Sequence, residues 1–269
     1  MTTAHELLDL CRRHVDPHAE PVAQHAGHDQ TSVLRATTRD GEVIVKIHRG
    51  RERHERERDA YRRWVPALGE RAPRLLAEID DPPAIIVTAL PGAPVAELDL
   101  PPETERDVFG QAGEILAAWH RAEPPRDTPD VTAWLAARGE QWLELAHAIL
   151  PAEQLADIRA HVRALAELGP LPAVPCHLDF TARNLLCDAD GVVGVIDFEH
   201  ARYDLAARDL VRLSDRVWRD RSDLEDAFLT GYGPLSDLDR QVIEHCTYLD
   251  TLTAAVRATG RTLPVGSPT

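Results

Sequence analysis

The sequence predicts an α+β fold, with a small antiparallel sheet at the N-terminal end and a larger, mainly helical remainder. Three observations carry this. Extended, alternating segments fill the chain up to Ala89, helical periodicity takes over from Pro101, and a strand–turn–strand unit lies between Asn184 and Asp197. With 269 residues, 43% of them hydrophobic, the chain suffices for one large or two small globular units. No apolar run approaches the roughly 20 residues of a membrane span.

The first segment, Met1 to Leu10, lacks the basic and apolar regions of a secretory signal and reads as an amphipathic helix, so a cytoplasmic location is expected. Pro21–Ala26 and Val33–Thr38 read as strands around Gly27-His28-Asp29-Gln30-Thr31-Ser32. Arg39-Asp40-Gly41 is a turn, and Glu42–His48 a third strand with Lys46 near its end. A lysine amid aliphatic neighbours needs a partner for its ammonium, because an unpaired charge is costly to bury. The next segment, Arg51 to Trp64, is a helix crowded with Glu52, Glu55 and Glu57. Arg74–Ile79 and Ala84–Ala89 form a hairpin across Asp80-Asp81-Pro82-Pro83, and Leu90-Pro91-Gly92 ends the sheet.

Helices are predicted over Glu103–Ala122, Val131–Leu150 and Ala152–Leu168, separated by prolines at 124, 125, 129 and 151. Asp130 or Thr132 is expected to cap the second, and Trp134 and Trp142 to join the core. A further helix starts near Leu205, and Asp223–Thr230 and Ser236–Ala258 complete the helical part. Gly260–Thr269 reads as a frayed tail.

Asp and Glu outnumber Lys and Arg by 45 to 30, a net charge of −15, which argues against nucleic acid or anionic membranes as partners and suits a cationic or neutral small molecule. The four cysteines, Cys11, Cys176, Cys187 and Cys246, show neither a disulfide framework nor zinc-ligand spacing.

The chemistry concentrates in Cys176-His177-Leu178-Asp179-Phe180-Thr181-Ala182-Arg183-Asn184 and Val195-Ile196-Asp197-Phe198-Glu199. A hydroxyl attacking a γ-phosphate needs a carboxylate to orient it and take its proton, and a triphosphate needs cations held by oxygen ligands. Asp179 fits the first role. Asn184 and Asp197 offer an amide and a carboxylate oxygen for Mg²⁺, and the turn Asp188-Ala189-Asp190-Gly191 brings Asp197 back beside Asn184. His177 is expected to brace the loop rather than catalyse. Glu199 is read two ways, as charge beside the metals or substrate amines, or as a solvent-facing residue.

These residues resemble the aminoglycoside phosphotransferase family, whose catalytic loop reads His-x-Asp-x-x-x-x-Asn and whose metal aspartate ends an Ile-Asp-Phe strand. The resemblance covers nearly the whole chain and implies a two-lobed protein-kinase-like fold in one catalytic domain. Residues 1–90 would be the nucleotide-binding lobe, and residues 91–269 the helical lobe with catalytic loop and substrate site. It implies that Lys46 contacts the phosphates and is oriented by Glu57, with Glu55 as the other candidate. Ser32 would touch a phosphate, and main-chain groups at Thr88, Ala89 and Leu90 would read a purine edge. Asp209 would brace the catalytic loop, and His120 would serve packing or capping.

The donor implied is ATP or GTP, with Mg²⁺. The expected reaction is transfer to a hydroxyl of an antibiotic, with resistance as its result. A kinase of ordinary metabolism acting on choline, homoserine or a sugar amine is the alternative, and a non-catalytic pseudokinase a third reading.

Overall fold

The computed structural model describes residues 3–26, 32–128, 130–263 and 266. Residues 27–31 of the expected connection between the first two strands, and residues 264, 265 and 267–269 of the expected frayed tail, lie outside the described residues.

Helix α1 (Ala4–His14) opens on a capping box in which Thr3 and Glu6 satisfy each other's amides. Five strands follow in the first part of the chain: β1 (Glu20–Ala26), β2 (Ser32–Thr38), β3 (Gly41–Ile47), β4 (Leu75–Asp80) and β5 (Pro83–Thr88). They form one antiparallel sheet in the order β1-β2-β3-β5-β4. Side-chain alternation divides β5 between two cores. Ala84 and Ile86 join Leu7, Leu8, Leu10 and Cys11 of α1, whereas Ile85 and Val87 join the larger core below the sheet. The same alternation on β3 sends Val43, Val45 and Ile47 towards α1 and leaves Ile44 and Lys46 on the opposite face. Helix α2 (Arg51–Arg63) lies on that second side, with Glu57, Ala60 and Tyr61 buried.

The remainder is mainly helical. It contains α3 (Pro102–His120), α4 (Val131–Ala146), α5 (Ala152–Glu167), the single turn α6 (Val211–Leu213), α7 (Ser222–Tyr232) and α8 (Asp237–Arg257). Asp130 caps α4 by accepting from the Ala133 amide. On α3 the buried positions Val108, Phe109, Ala112, Ile115, Leu116 and Trp119 recur at helical spacing and face the core. Helices α3 and α7 touch backbone to backbone: a Cβ at Gly113 would lie 2.1 Å from the Phe228 carbonyl oxygen, and one at Gly231 would lie 2.1 Å from that of Gly110.

Short strands hold the catalytic segment. β6 (Ala93–Pro94), β8 (Leu185–Cys187) and β9 (Val193–Val195) make a small sheet, and β7 (Val174–Cys176) pairs with β10 (Arg202–Asp204). The predicted hairpin is present as β8 and β9, its turn closed by Asp188, which accepts from the amides of Asp190 and Val192. Three features differ from expectation. β7 and β10 are three-residue strands too short for a sequence period, Pro94 in β6 reads as a break, and the expected helix after Leu205 is broken into a 3₁₀ segment, α6 and a π segment to Trp218. No helix among the described residues is long and apolar enough to cross a membrane.

Candidate active site

The site lies where β3, α2, the loop before β8 and the end of β9 converge. Lys46 on β3 is buried, and its Nζ lies 2.6 Å from Asp197, 2.8 Å from Glu57 and 3.0 Å from Glu199. Burial works against the ammonium, but these three carboxylates outweigh it and lift its pKa well above the ordinary lysine value. Glu57, not Glu55, is the α2 glutamate that reaches Lys46; His48 approaches the same Oε2 to 2.5 Å. Burial pushes the Glu57 carboxyl up, while Lys46 and the His48 hydrogen bond bring it below the usual range.

Asp197 follows β9 in the left-handed region, with φ 68°, and Leu178, just before Asp179, has φ 62°. Branched or charged residues adopt this backbone only where surrounding contacts enforce it. For Asp197 the contacts are the Lys46 pair and the burial of Phe198, which stacks on Trp119 at 4.9 Å and meets Tyr61 edge-on at 5.3 Å. Burial raises the Asp197 carboxyl, but Lys46 outweighs it and holds the group at about 2.

The catalytic loop is braced from below. Asp209 accepts from the amides of His177 and Leu178, and His120 Nε2 lies 3.0 Å from Asp209 while its Nδ1 lies 2.9 Å from the Tyr232 hydroxyl. These contacts agree with the bracing expected of Asp209 and the packing role expected of His120. His177 donates from Nε2 to the Ile196 carbonyl at 3.0 Å, and its Nδ1 accepts from the Asp179 amide at 3.3 Å. Both ring nitrogens are thus spent on the loop, as a strut requires.

Asn184 Nδ2 donates to the main-chain oxygen and to Oδ2 of Asp179, both at 2.9 Å. With the amide nitrogen turned to Asp179, its oxygen is left for another partner. That oxygen and the Asp197 carboxylate are hard donors of the kind Mg²⁺ takes, so the residues present fit such a cation. The other Asp179 oxygen, Oδ1, is engaged by Arg212 of α6, whose Nε is 3.8 Å from Asp250 on α8. Leu178, Phe180, Arg208, Asp209, Val211 and Asp250 line a small cavity of about 30 Å³ with Arg212.

Ser32 sits at the start of β2, opposite Ile47. The Thr88 amide donates to the Arg74 carbonyl and the Ala89 amide to that of Glu42, so of the main-chain groups expected at a purine edge these two N–H donors are already used within the sheet. Sequence reasoning missed Arg212 and left Glu199 unresolved. Glu199 is buried and also accepts from Arg53 of α2 at 2.9 Å. The only available signal was the lone Glu after Asp197-Phe198; nothing in the spacing of Arg212 points at Asp179.

A twisted sheet carrying a buried Lys–Glu pair, set over a helical body with a braced Asp–Asn loop, defines a protein-kinase-like phosphotransferase. The chain belongs to the phosphotransferase enzyme family, which it matches over residues 18–243. It is similar to homoserine kinase of Gluconobacter oxydans (strain 621H), 29% identical over 192 residues, or 65% of this chain; the match spans 58% of that relative's length. Among solved structures, a spectinomycin phosphotransferase in complex with ADP and spectinomycin has a TM-score of 0.67 at 15% identity, covering 96% of this chain and 88% of that one. A choline/ethanolamine kinase family protein from Mesorhizobium loti has a TM-score of 0.67 at 21% identity, covering 94% and 87%. An aminoglycoside phosphotransferase from Streptomyces rimosus ATCC10970 has a TM-score of 0.60 at 22% identity, covering 91% and 97%.

Proposed function

We propose that this protein transfers the γ-phosphate of ATP or GTP directly to a hydroxyl of a small molecule. The observation that supports this most is the convergence of Lys46, Glu57 and Asp197 on one side of the cleft with Asp179 and Asn184 beside them. In this reading residues 1–90 hold the nucleotide, with Ser32 at the phosphates and main-chain groups of Thr88, Ala89 and Leu90 at the purine. Residues 91–269 carry the catalytic loop and acceptor site.

Asp179 orients the acceptor hydroxyl through Oδ1 and takes its proton, while Asn184 fixes Oδ2 and with it the carboxylate plane. Lys46, aligned by Glu57, supports the phosphates. Asn184 and Asp197 would hold Mg²⁺, which would supply charge neutralisation at the phosphates. No covalent enzyme intermediate is needed. A supply of nucleoside triphosphate places this activity in the cytoplasm.

The acceptor we favour is a hydroxylated antibiotic, a reading supported by fold likeness to spectinomycin and aminoglycoside phosphotransferases. A second reading, a kinase of ordinary metabolism, is favoured by the similarity to homoserine kinase and by Arg212, whose guanidinium at Asp179 suits an acceptor bearing a carboxylate. A pseudokinase is opposed by the intact set of Lys46, Asp179, Asn184 and Asp197.

The test is Mg²⁺-dependent transfer from ATP and GTP, read by mass spectrometry across aminoglycosides, nucleoside, peptide and macrolide antibiotics, homoserine and choline. Gain of one phosphate on an antibiotic class supports the leading reading, and gain on homoserine or choline alone replaces it with the second. Failure to bind either nucleotide overturns both.

A further inference from the structure

Lys46 has three carboxylates at ion-pair range, Asp197 at 2.6 Å, Glu57 at 2.8 Å and Glu199 at 3.0 Å, and donates its hydrogen bond to Asp197. A phosphate oxygen must therefore compete with three carboxylates for this ammonium. Charge points the same way, because Lys46 and Arg53 together face three carboxylates, and the surplus negative charge repels a triphosphate.

The three carboxylates differ in how they are held. The Glu57 side chain is 2% exposed and lies against His48; that of Glu199 is 8% exposed and gripped by Arg53 at 2.9 Å. The Asp197 side chain is 34% exposed. Of the three, only Asp197 can turn to a solvent-borne cation without opening the buried cluster, and its departure frees one Lys46 N–H.

We propose that Glu199 makes nucleotide binding conditional on the divalent cation, by holding the Lys46 ammonium in a second buried ion pair and by adding the charge that repels the phosphates. The proposal rests on the kinase reading above. It assigns Glu199 a positioning role on Lys46: the nucleotide gains the lysine only when Asp197 is drawn away.

The test is calorimetric titration of ADP into the intact protein, once with Mg²⁺ and once with a chelator, for the wild type and Glu199→Gln. The wild type is expected to bind ADP far more tightly with Mg²⁺. Glu199→Gln should gain about tenfold in metal-free affinity, the size of effect one removed charge has at this range, and change by less than about threefold with Mg²⁺. Unchanged metal-free affinity, or an equal fall in both conditions, overturns the proposal. Wild-type protein that binds no ADP even with Mg²⁺ overturns the kinase reading instead.

Should Glu199→Gln melt early, Arg53→Gln gives the opposite test. It removes the Arg53 cation from Glu199 while leaving the Lys46 pair, and should widen the gap between metal-bound and metal-free affinity; an unchanged or narrowed gap overturns the proposal.

Discussion

The two halves of the site are built differently. On the proposed nucleotide side, Lys46, Glu57 and Glu199 form a buried cluster in which both glutamates lie within 3.0 Å of the ammonium. On the acceptor side, Asp179, Arg212 and Asp250 form a chain of alternating charge, with Arg212 and Asp250 side chains 30% and 36% exposed. Burial makes the first cluster specific in geometry, since a buried charge tolerates loss of its partner poorly. Exposure leaves the second free to exchange partners, because solvent screens each pair. Under the proposed function, a nucleoside triphosphate donor suits the first design, and an acceptor that enters and leaves at Asp179 suits the second.

The comparison breaks most readily at Asp179. Asp179→Ala is expected to lower turnover by about a thousandfold or more while leaving MgADP affinity within twofold, measured by phosphate transfer and calorimetry. A parallel loss of nucleotide affinity would show that the two halves are one unit. Asp197→Ala stands between them: it should abolish turnover and also weaken Mg²⁺-dependent ADP binding by tenfold or more, whereas unchanged binding would remove Asp197 from the nucleotide side.

Arg212→Ala sharpens the acceptor half. It is expected to cost about tenfold in kcat/KM for the acceptor, with the KM for the nucleotide unaltered. The smallest effect concerns a tie between α2 and the end of α3. Arg63 donates to Glu123 at 2.9 and 2.6 Å, and these bonds, against the opposing pull of burial and aided by the Tyr203 hydroxyl, hold the Glu123 carboxyl at about 2. That value lies below the ordinary 4.5, so the stabilisation is complete above about pH 4.5 and fades as pH falls towards 2. Glu123→Gln should cost about 1 kcal/mol at pH 7 after allowance for solvent screening, and nothing near pH 2, as followed by thermal melting across that range. Loss of equal size at both ends would assign the effect to packing.

Much of the chemistry was legible in the chain because it is local. Asp179 and Asn184 share one loop, and the hairpin returning Asp197 is announced by Asp188 and Gly191. Lys46 was legible as an anomaly, a cation on the inward side of a strand. The register that puts it there follows from alternation alone, and so does the division of β5 between two cores.

Long-range pairing was not legible, since no local rule sets which distant charges meet. Lys46 and Asp197 are 151 residues apart, and Arg53 and Glu199 are 146 apart. The choice of Glu57 over Glu55 required knowing which face of α2 lies under the sheet. The burial of Glu199 depended on Arg53 being there to neutralise it, and the capture of Asp179 by Arg212 depended on how the irregular stretch after Leu205 is bent. By itself the sequence determined on which elements the candidate groups sit, because periodicity and turn chemistry are properties of neighbouring residues. Only the tertiary structure decided which charges neutralise one another, because that balance of desolvation against pairing exists only after the lobes have closed on each other.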